Sequence, residues 1–262
     1  MFPVWEFDQA PVPYSKFHII WLLISLVLVT LSFLLARKPN KKRDNIFVFS
    51  ICFFLLLTEV YKQAYQYVNH GNKYCWYNFP FQLCSIPMFI GSIAPFIKWD
   101  KIKDVLYRYL AFTSLIGGLA ILLVPYVCLN KNIIITNHSM LWHGLLVSLG
   151  VYLIKSRGYG KHILKETISP AIVLFFVCLT ALILNFKLHP IAQADGMGLN
   201  LISLSYYQKN DPPILDMIFQ AVPYPIYAIT VFFFLYLSMP FVTSCTYIIR
   251  LIHSKITNKA AQ

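Results

Sequence analysis

The sequence predicts an all-α polytopic membrane protein with seven transmembrane helices, an N-terminus outside the cell and a C-terminus inside it. Composition is the first observation behind this prediction. The chain has 262 residues, of which 58% are hydrophobic and only 12% charged, and its mean hydropathy is +0.62. The apolar residues also fall in long runs, as helices that cross a bilayer require. The third observation is that 16 of the 22 Lys and Arg residues fall on one side of the predicted spans, which marks that side as cytoplasmic.

The apolar runs divide the chain into one membrane domain with short flanking segments. Residues 1–16 hold two acids and no basic residue before Lys16, so they lack the basic region of a signal peptide, and we expect the first run to be retained as a helix. We predict an extracellular segment over 1–16, a membrane domain over 17–250 and a cytoplasmic tail over 251–262. The predicted spans are 17–36, 46–67, 79–97, 105–129, 139–154, 167–188 and 222–249.

Charge and cysteine content exclude several classes of function. The net charge of +12 sits mostly in short loops, where it reports topology and contact with anionic lipid headgroups and does not indicate a nucleic-acid partner. The six cysteines form no CxxC pair and no metal-like spacing, so we predict neither a metal nor a cofactor. Cys75 and Cys128 are both expected near the outer surface, and the sequence leaves open whether they pair.

The start of the third span places an amide, a thiol and a hydroxyl between two prolines. Gln82, Cys84 and Ser85 follow Pro80 and precede Pro87. Pro80 suits the first turn of a helix, whereas Pro87 is expected to kink that helix and loosen the turn that carries the polar groups. This turn is a candidate site, although membrane helices also accept Pro, Cys and Ser as packing residues.

A polar stripe follows one face of the second span. Glu59, Lys62, Gln63 and Gln66 have the spacing i, i+3, i+4 and i+7, which aligns them on one helical face. Charged residues of a transmembrane helix avoid lipid and by default mark a functional interior. The alternative is an intrahelical pair of Glu59 and Lys62 that neutralises itself near the interface.

Polar residues of other spans fall at a similar depth on the outer side, and together they predict a polar cavity open to the extracellular leaflet. Cys84 and His143 form a possible nucleophile and base, with Glu59 as the group that orients the imidazole. The alternative is that His143 is a packing histidine. The remaining candidates, which would bind substrate, are Lys62, Gln63, Gln82, His138, Asn185 and Tyr224.

The order of these motifs resembles the YwaF-like family of bacterial integral membrane proteins. The resemblance rests on Pro80 to Pro87, Asn137 to Gly144, Asn185, Met197 to Tyr207, and Pro223 with Tyr224. The wider group includes a vertebrate ether-phospholipid acyltransferase with a membrane cysteine, and the resemblance implies that Cys84 takes that cysteine's place with His143 as its partner. Many members carry His where this chain has Gln82, and a Pro expected after Ser205 is missing here. Both departures bear on activity more than on fold.

The sequence thus predicts a multi-pass protein of the bacterial plasma membrane that transfers acyl groups to a membrane lipid or a lipid-like amphiphilic substrate. In this hypothesis Cys84 accepts the acyl group, and the amides of Gln82 and Asn185 donate hydrogen bonds to the oxyanion. A rival hypothesis is a non-enzymatic transporter or binding protein that uses the same cavity for a small polar or amphiphilic ligand. A third is an accessory subunit of a larger membrane complex. The oligomeric state is not encoded in any motif.

Overall fold

The computed structural model describes residues 5–36, 40–206 and 213–260. This part of the chain is helical, apart from loops and one isolated antiparallel bridge between Glu6 and Asn132. Its helices are α1 (Lys16–Leu35), α2 (Lys41–Asn69), α3 (Ile86–Ile93), α4 (Asp100–Leu123), α5 (Ile133–Arg157), α6 (Ile163–Ala194), α7 (Pro213–Ala221) and α8 (Tyr224–Ala260).

Within the described residues, five helices are long and apolar enough to cross a membrane: α1, α2, α4, α6 and α8. Helix α5 has 25 residues, which is sufficient length, but it lacks a continuous stretch as apolar as those of the other five. Helix α3 and the 3₁₀ turn after it form a shorter apolar helix over Ile86–Phe96. The prediction of an all-helical, multi-pass membrane protein is therefore confirmed, whereas the number seven and the orientation of the termini remain predictions.

The third predicted span is wrong in its first half. The structure has turns over residues 79–85, and the helix begins only at Ile86. Pro87 therefore lies in the first turn of α3 and does not kink a longer helix. A proline in the first turn loses no intrahelical hydrogen bond, which makes this the favourable place for it. The turn that carries Cys84 is closed by bonds from the N–H groups of Ser85 and Ile86 to the carbonyl of Gln82.

Helix α5 lies between α1 and α4, and glycines allow both neighbours to approach it closely. A Cβ atom on Gly144 would lie 2.7 Å from the hydroxyl of Ser25 in α1. On the α4 side, a Cβ on Gly150 would lie 2.8 Å from the carbonyl oxygen of Ala111. Small residues at such contacts are the usual means by which membrane helices pack without a hydrophobic driving force. This packing buries much of α5 between its two neighbours.

The helices run up and down the bundle, so their first and last residues gather at two ends, which we call the basic end and the N-terminal end. The basic end contains the first residues of α2, α4 and α6 and the last residues of α5. Here Asp44 is fully buried, and it pairs with Arg157 at 2.8 Å and accepts hydrogen bonds from the hydroxyls of Tyr152 and Ser156. The N-terminal end contains the first residues of α1, α3, α5 and α8, and at this end His18 of α1 bonds the carbonyl of Leu122 in α4 at 2.9 Å.

A second buried network at the basic end joins α4 to α6. Arg108 pairs with Asp104 at 2.8 Å and faces Glu166 at 3.6 Å. Glu166 also accepts hydrogen bonds from the backbone N–H groups of Gly160, Lys161 and His162. The loop before α6 is thus held by a carboxylate whose own charge is balanced by an arginine.

Residues 195–206, which follow α6, fold back into the bundle at the N-terminal end. Leu199, Leu201 and Leu204 are almost fully buried. Ile202 and Ser203 adopt left-handed backbone conformations with φ of 57° and 56°. That conformation is strained for a β-branched residue, so the surroundings must hold it in place.

Candidate functional site

The polar face of α2 is buried at the N-terminal end and is internally paired. The Glu59 side chain is 4% exposed and contacts the ammonium of Lys62 at 2.8 Å. The amide nitrogen of Gln63 donates to the same Oε1 atom of Glu59 at 2.7 Å and to the carbonyl of Asn78 at 2.8 Å. The stripe therefore faces the protein interior, as its spacing indicates, and it also contains the ion pair that the alternative interpretation describes.

Tyr74 adds a phenol to this face from the loop after α2. Burial, with the negative charge of Glu59 as a smaller cause, raises the pKa of Tyr74 to about 12. The phenol is therefore protonated throughout the physiological range and can donate a hydrogen bond. Tyr74 was not a candidate from the sequence, because an aromatic residue in an outer loop is ordinarily an interfacial anchor.

The turn that carries Cys84 is fixed to α5. The indole N–H of Trp142 donates to the backbone carbonyl of Cys84 at 3.0 Å. The Cys84 side chain packs on a cluster that also contains Met88, Trp142 and Leu146. Because Trp142 precedes His143, this bond places the thiol turn against the part of α5 that carries the histidine.

The hydrogen bond of His143 determines which ring nitrogen is free. Its Nδ1 atom lies 2.7 Å from the carbonyl oxygen of Ser139. A carbonyl can only accept, so Nδ1 carries the proton and Nε2 carries a lone pair. Among the described residues Nε2 has no hydrogen-bond partner, although the side chain is only 5% exposed. This is the tautomer that a general base needs.

Lys62 lies within electrostatic range of the Cys84 thiol and of both histidines of α5, His138 and His143. Since the four residues come from α2, α5 and the turn before α3, the fold brings together groups that are far apart in sequence. We call Glu59, Lys62, Cys84, His138 and His143 the polar cluster.

His138 and Cys128 complete the surroundings of the polar cluster. The His138 ring packs on Trp142 with 5.3 Å between ring centres, and its Nε2 atom is buried without a hydrogen bond among the described residues. Burial raises the pKa of the Cys128 thiol to about 11, although a hydrogen bond with Ser139 opposes the shift. Cys84 and Lys62 both lie within electrostatic range of Cys128. The six cysteines all have free thiols, so Cys75 and Cys128 do not pair in this structure.

The predicted triad geometry differs from the structure in two contacts. No hydrogen bond joins Glu59 to His143, because Glu59 is engaged by Lys62 and Gln63 while the Ser139 carbonyl orients the imidazole. The Cys84 thiol is near the histidine's helix, but no hydrogen bond between Cys84 and His143 is formed. The carbonyl of Ser139 is a contact that sequence spacing could have predicted, since it lies one helical turn before His143.

The two amides predicted to bind an oxyanion hold the buried loop instead. Gln82 donates to the carbonyl of Asn200 at 2.8 Å and accepts from the N–H of Ile202 at 2.9 Å. Asn185 makes the equivalent pair of bonds to both backbone groups of Leu201, at 3.1 and 2.9 Å. Both side chains therefore fix the strained segment, and the structure does not bring them into the polar cluster. Tyr224 acts similarly through its hydroxyl, which donates to the carbonyl of Leu204 at 2.9 Å.

The described residues contain no group of three or more His, Cys, Asp or Glu side chains arranged to hold a metal ion. Comparison with known proteins gives one match. The model of the TMEM164 family, which are membrane proteins, matches residues 13–243. No curated protein and no solved structure matches the chain. The matched range contains every candidate site residue, but the match does not identify the YwaF-like group that the motifs resemble.

Proposed function

The chain belongs to the TMEM164 family, and from that starting point we propose that it is a membrane-embedded acyltransferase acting on a lipid or lipid-like substrate. One observation carries the proposal. The turn that carries Cys84 is bonded to α5 next to His143, and the imidazole of His143 has its Nε2 lone pair available, with the charge of Lys62 within electrostatic range of both. A thiol beside a cation and a base has the surroundings in which a nucleophilic thiolate forms.

The reaction begins with removal of the thiol proton of Cys84 by Nε2 of His143, directly or through one water. The Lys62 ammonium stabilises the resulting thiolate. The sulfur attacks the acyl carbonyl of the donor ester, and the ester C–O bond breaks as the leaving alkoxide takes the proton from the imidazolium. The acceptor hydroxyl then loses its proton to His143 and attacks the thioester, which restores the thiol.

Glu59 has a positioning role in this proposal. Its carboxylate holds Lys62 and Gln63, and so it sets where the ammonium lies relative to the thiol.

Membrane lipid is the partner that the location of the polar cluster favours, because the amphiphile can enter from the bilayer. We place the protein in the bacterial plasma membrane with its basic end towards the cytoplasm. Cysteines introduced at the exposed positions Lys41 and Lys131 would test this orientation by labelling in intact cells, where only position 131 should react with an impermeant reagent.

The test of acyl transfer uses the purified full chain in vesicles with an isotope-labelled diacyl phospholipid and a lysophospholipid acceptor. The unmutated protein should form labelled diacyl product and a hydroxylamine-sensitive acyl adduct, and Cys84→Ser should form neither. Cys245→Ser is the matched control, because Cys245 is exposed on α8 and lies outside the polar cluster. If Cys84→Ser retains full transfer, the proposal is wrong.

The rival function is a transporter or binding protein, and it is supported by the absence of a formed bond between Cys84 and His143. It predicts an amphiphile that binds with the same affinity to the unmutated protein and to Cys84→Ser, with no covalent adduct in either. The same preparation therefore separates the two functions, because a dissociation constant and an adduct mass are measured side by side.

A further inference from the structure

A groove opens at the basic end, where α6 begins beside α8. It has a volume of about 710 Å³ and is lined by Lys161, His162, Ile163, Leu164, Lys165 and Tyr247. None of these residues belongs to the polar cluster. From His143 to the end of α5 the chain rises by roughly 20 Å, at 1.5 Å per residue. The groove is therefore a separate region, and the inference drawn from it does not depend on the proposed acyl transfer.

The groove is positively charged because the carboxylate of Glu166, which follows Lys165 in the chain, is engaged elsewhere. Glu166 is buried, accepts three backbone N–H groups of the preceding loop and faces Arg108. Lys161 and Lys165 are exposed, and neither has an acidic partner among the described residues. Two ammonium groups and an imidazole thus point at one exposed volume without a compensating anion from the protein.

An exposed apolar stripe continues from the groove along the length of α6. Leu164, Ile168 and Ile172 follow one another at four-residue spacing, and their side chains are 76%, 55% and 56% exposed. Residues four apart on a helix lie on one face, so the stripe is continuous. A ligand that fits both parts has an anionic head next to the lysines and hydrocarbon along the stripe.

We propose that this groove is a binding site for an anionic glycerophospholipid of the adjacent leaflet. The phosphate lies between Lys161 and Lys165, the imidazole of His162 donates to it, and the acyl chains follow Leu164 and Ile168. Basic pockets between membrane helices are known to select anionic headgroups by this combination of charge and apolar contact. The site is non-catalytic, and it fixes the start of α6, where the loop 158–162 connects α5 to the rest of the bundle.

The test measures lipid binding to the full chain in detergent by native mass spectrometry, with phosphatidylglycerol as the anionic probe and phosphatidylcholine as the neutral one. The unmutated protein should prefer phosphatidylglycerol. Lys161→Gln combined with Lys165→Gln should weaken phosphatidylglycerol binding by about 30-fold, from roughly two headgroup contacts, and leave phosphatidylcholine binding unchanged. Raised salt should reduce the preference of the unmutated protein.

The matched control is Lys131→Gln combined with Lys187→Gln, which removes the same charge from exposed positions at the N-terminal end. It should retain the preference for phosphatidylglycerol. All four lysines are exposed, so both double variants are expected to fold, and an unchanged melting temperature without lipid checks this. The proposal is wrong if the unmutated protein binds the two lipids equally, or if the control loses as much phosphatidylglycerol binding as the Lys161 and Lys165 variant. It is also wrong if glycerol 3-phosphate, at the same concentration as the lipid, fully displaces phosphatidylglycerol. The last outcome would show a simple anion site that makes no use of the apolar stripe.

Discussion

At the basic end, the buried carboxylate of Asp44 is matched by a guanidinium and two hydroxyls. At the N-terminal end, the buried Nε2 atoms of His138 and His143 make no hydrogen bond among the described residues. Both ends bury polar atoms without a hydrogen bond among the described residues, but at the basic end Asp44 Oδ2 and Arg157 Nε belong to opposite charges that lie 2.8 Å apart. A close ion pair offsets part of the cost of burying its charges, whereas a buried imidazole nitrogen without any partner costs stability. This difference is our reason for placing the proposed site at the N-terminal end.

The largest expected loss of stability comes from breaking the network at the basic end. Asp44→Asn leaves the largely buried Arg157 without its counter-charge, so the free energy of unfolding should fall by about 3 kcal/mol. Unfolding by SDS titration of the purified chain measures the change. Asp100→Asn is the matched control, because its partner Lys41 and Asp100 itself are both largely exposed. A loss for Asp44→Asn no larger than that of the control would contradict the comparison.

The second expected effect concerns the loop held by Gln82. Gln82→Ala removes two hydrogen bonds from the backbone at Asn200 and Ile202, which should lower the free energy of unfolding by about 2 kcal/mol. Hydrogen exchange at residues 199–205 should also become faster. Gln66→Ala is the control with the same substitution, since the Oε1 atom of Gln66 is buried without a hydrogen bond among the described residues. Equal effects of the two variants would mean that the amide of Gln82 does not hold the loop.

The third expectation separates stability from activity at His143. The amide of Gln in His143→Gln can replace the hydrogen bond to the Ser139 carbonyl, so the free energy of unfolding should change by less than about 1 kcal/mol. If the proposed chemistry holds, transfer should fall by about 100-fold or more, the usual contribution of a general base. The measurements are the SDS titration and the labelled-lipid assay. A large loss of stability with unchanged transfer would identify His143 as a packing residue.

The smallest effect is expected at the exposed pair of Lys41 and Asp100. The two side chains are 72% and 65% exposed, although their atoms lie 2.6 Å apart. An exposed ion pair gains little, because water and salt screen it. Lys41→Gln should be indistinguishable from the unmutated protein in SDS titration, at low and at high salt. A clear loss of stability would show that burial is not what distinguishes the pair of Asp44 and Arg157 from the pair of Lys41 and Asp100.

Hydropathy was sufficient to predict the long helices but not the polar elements. Helices α1, α2, α4, α6 and α8 lie where the apolar runs indicate, because burial in lipid selects composition directly. The start of α5 was predicted at residue 139 and lies at Ile133, since Asn137 and His138 interrupt the apolar run without ending the helix. The turn over 79–85 leads directly into an apolar run, so hydropathy assigned it to the helix, and tertiary contacts such as that of Trp142 with Cys84 help to fix its shape.

The candidate site also contains features that the sequence predicted and features that it did not. Local spacing predicted the inward stripe of α2, because helical period alone fixes which residues share a face. Adjacency of Cys84, His143 and Glu59 depends on how helices rotate and pack, so the sequence offered it only as a hypothesis. The roles of Gln82 and Asn185 could not be predicted, because their partners are backbone groups of a loop far along the chain.

The glycines of α5 have a consequence for how the protein is made. A helix this polar enters a bilayer poorly by itself, since each buried polar group needs a partner before it leaves water. Helices α1 to α4 precede α5 in synthesis, and α1 and α4 supply the two surfaces that Gly144 and Gly150 contact. The translocon would therefore release α5 into a space between helices that are already in the membrane. Integration of α5 then depends on its neighbours as much as on its own hydrophobicity.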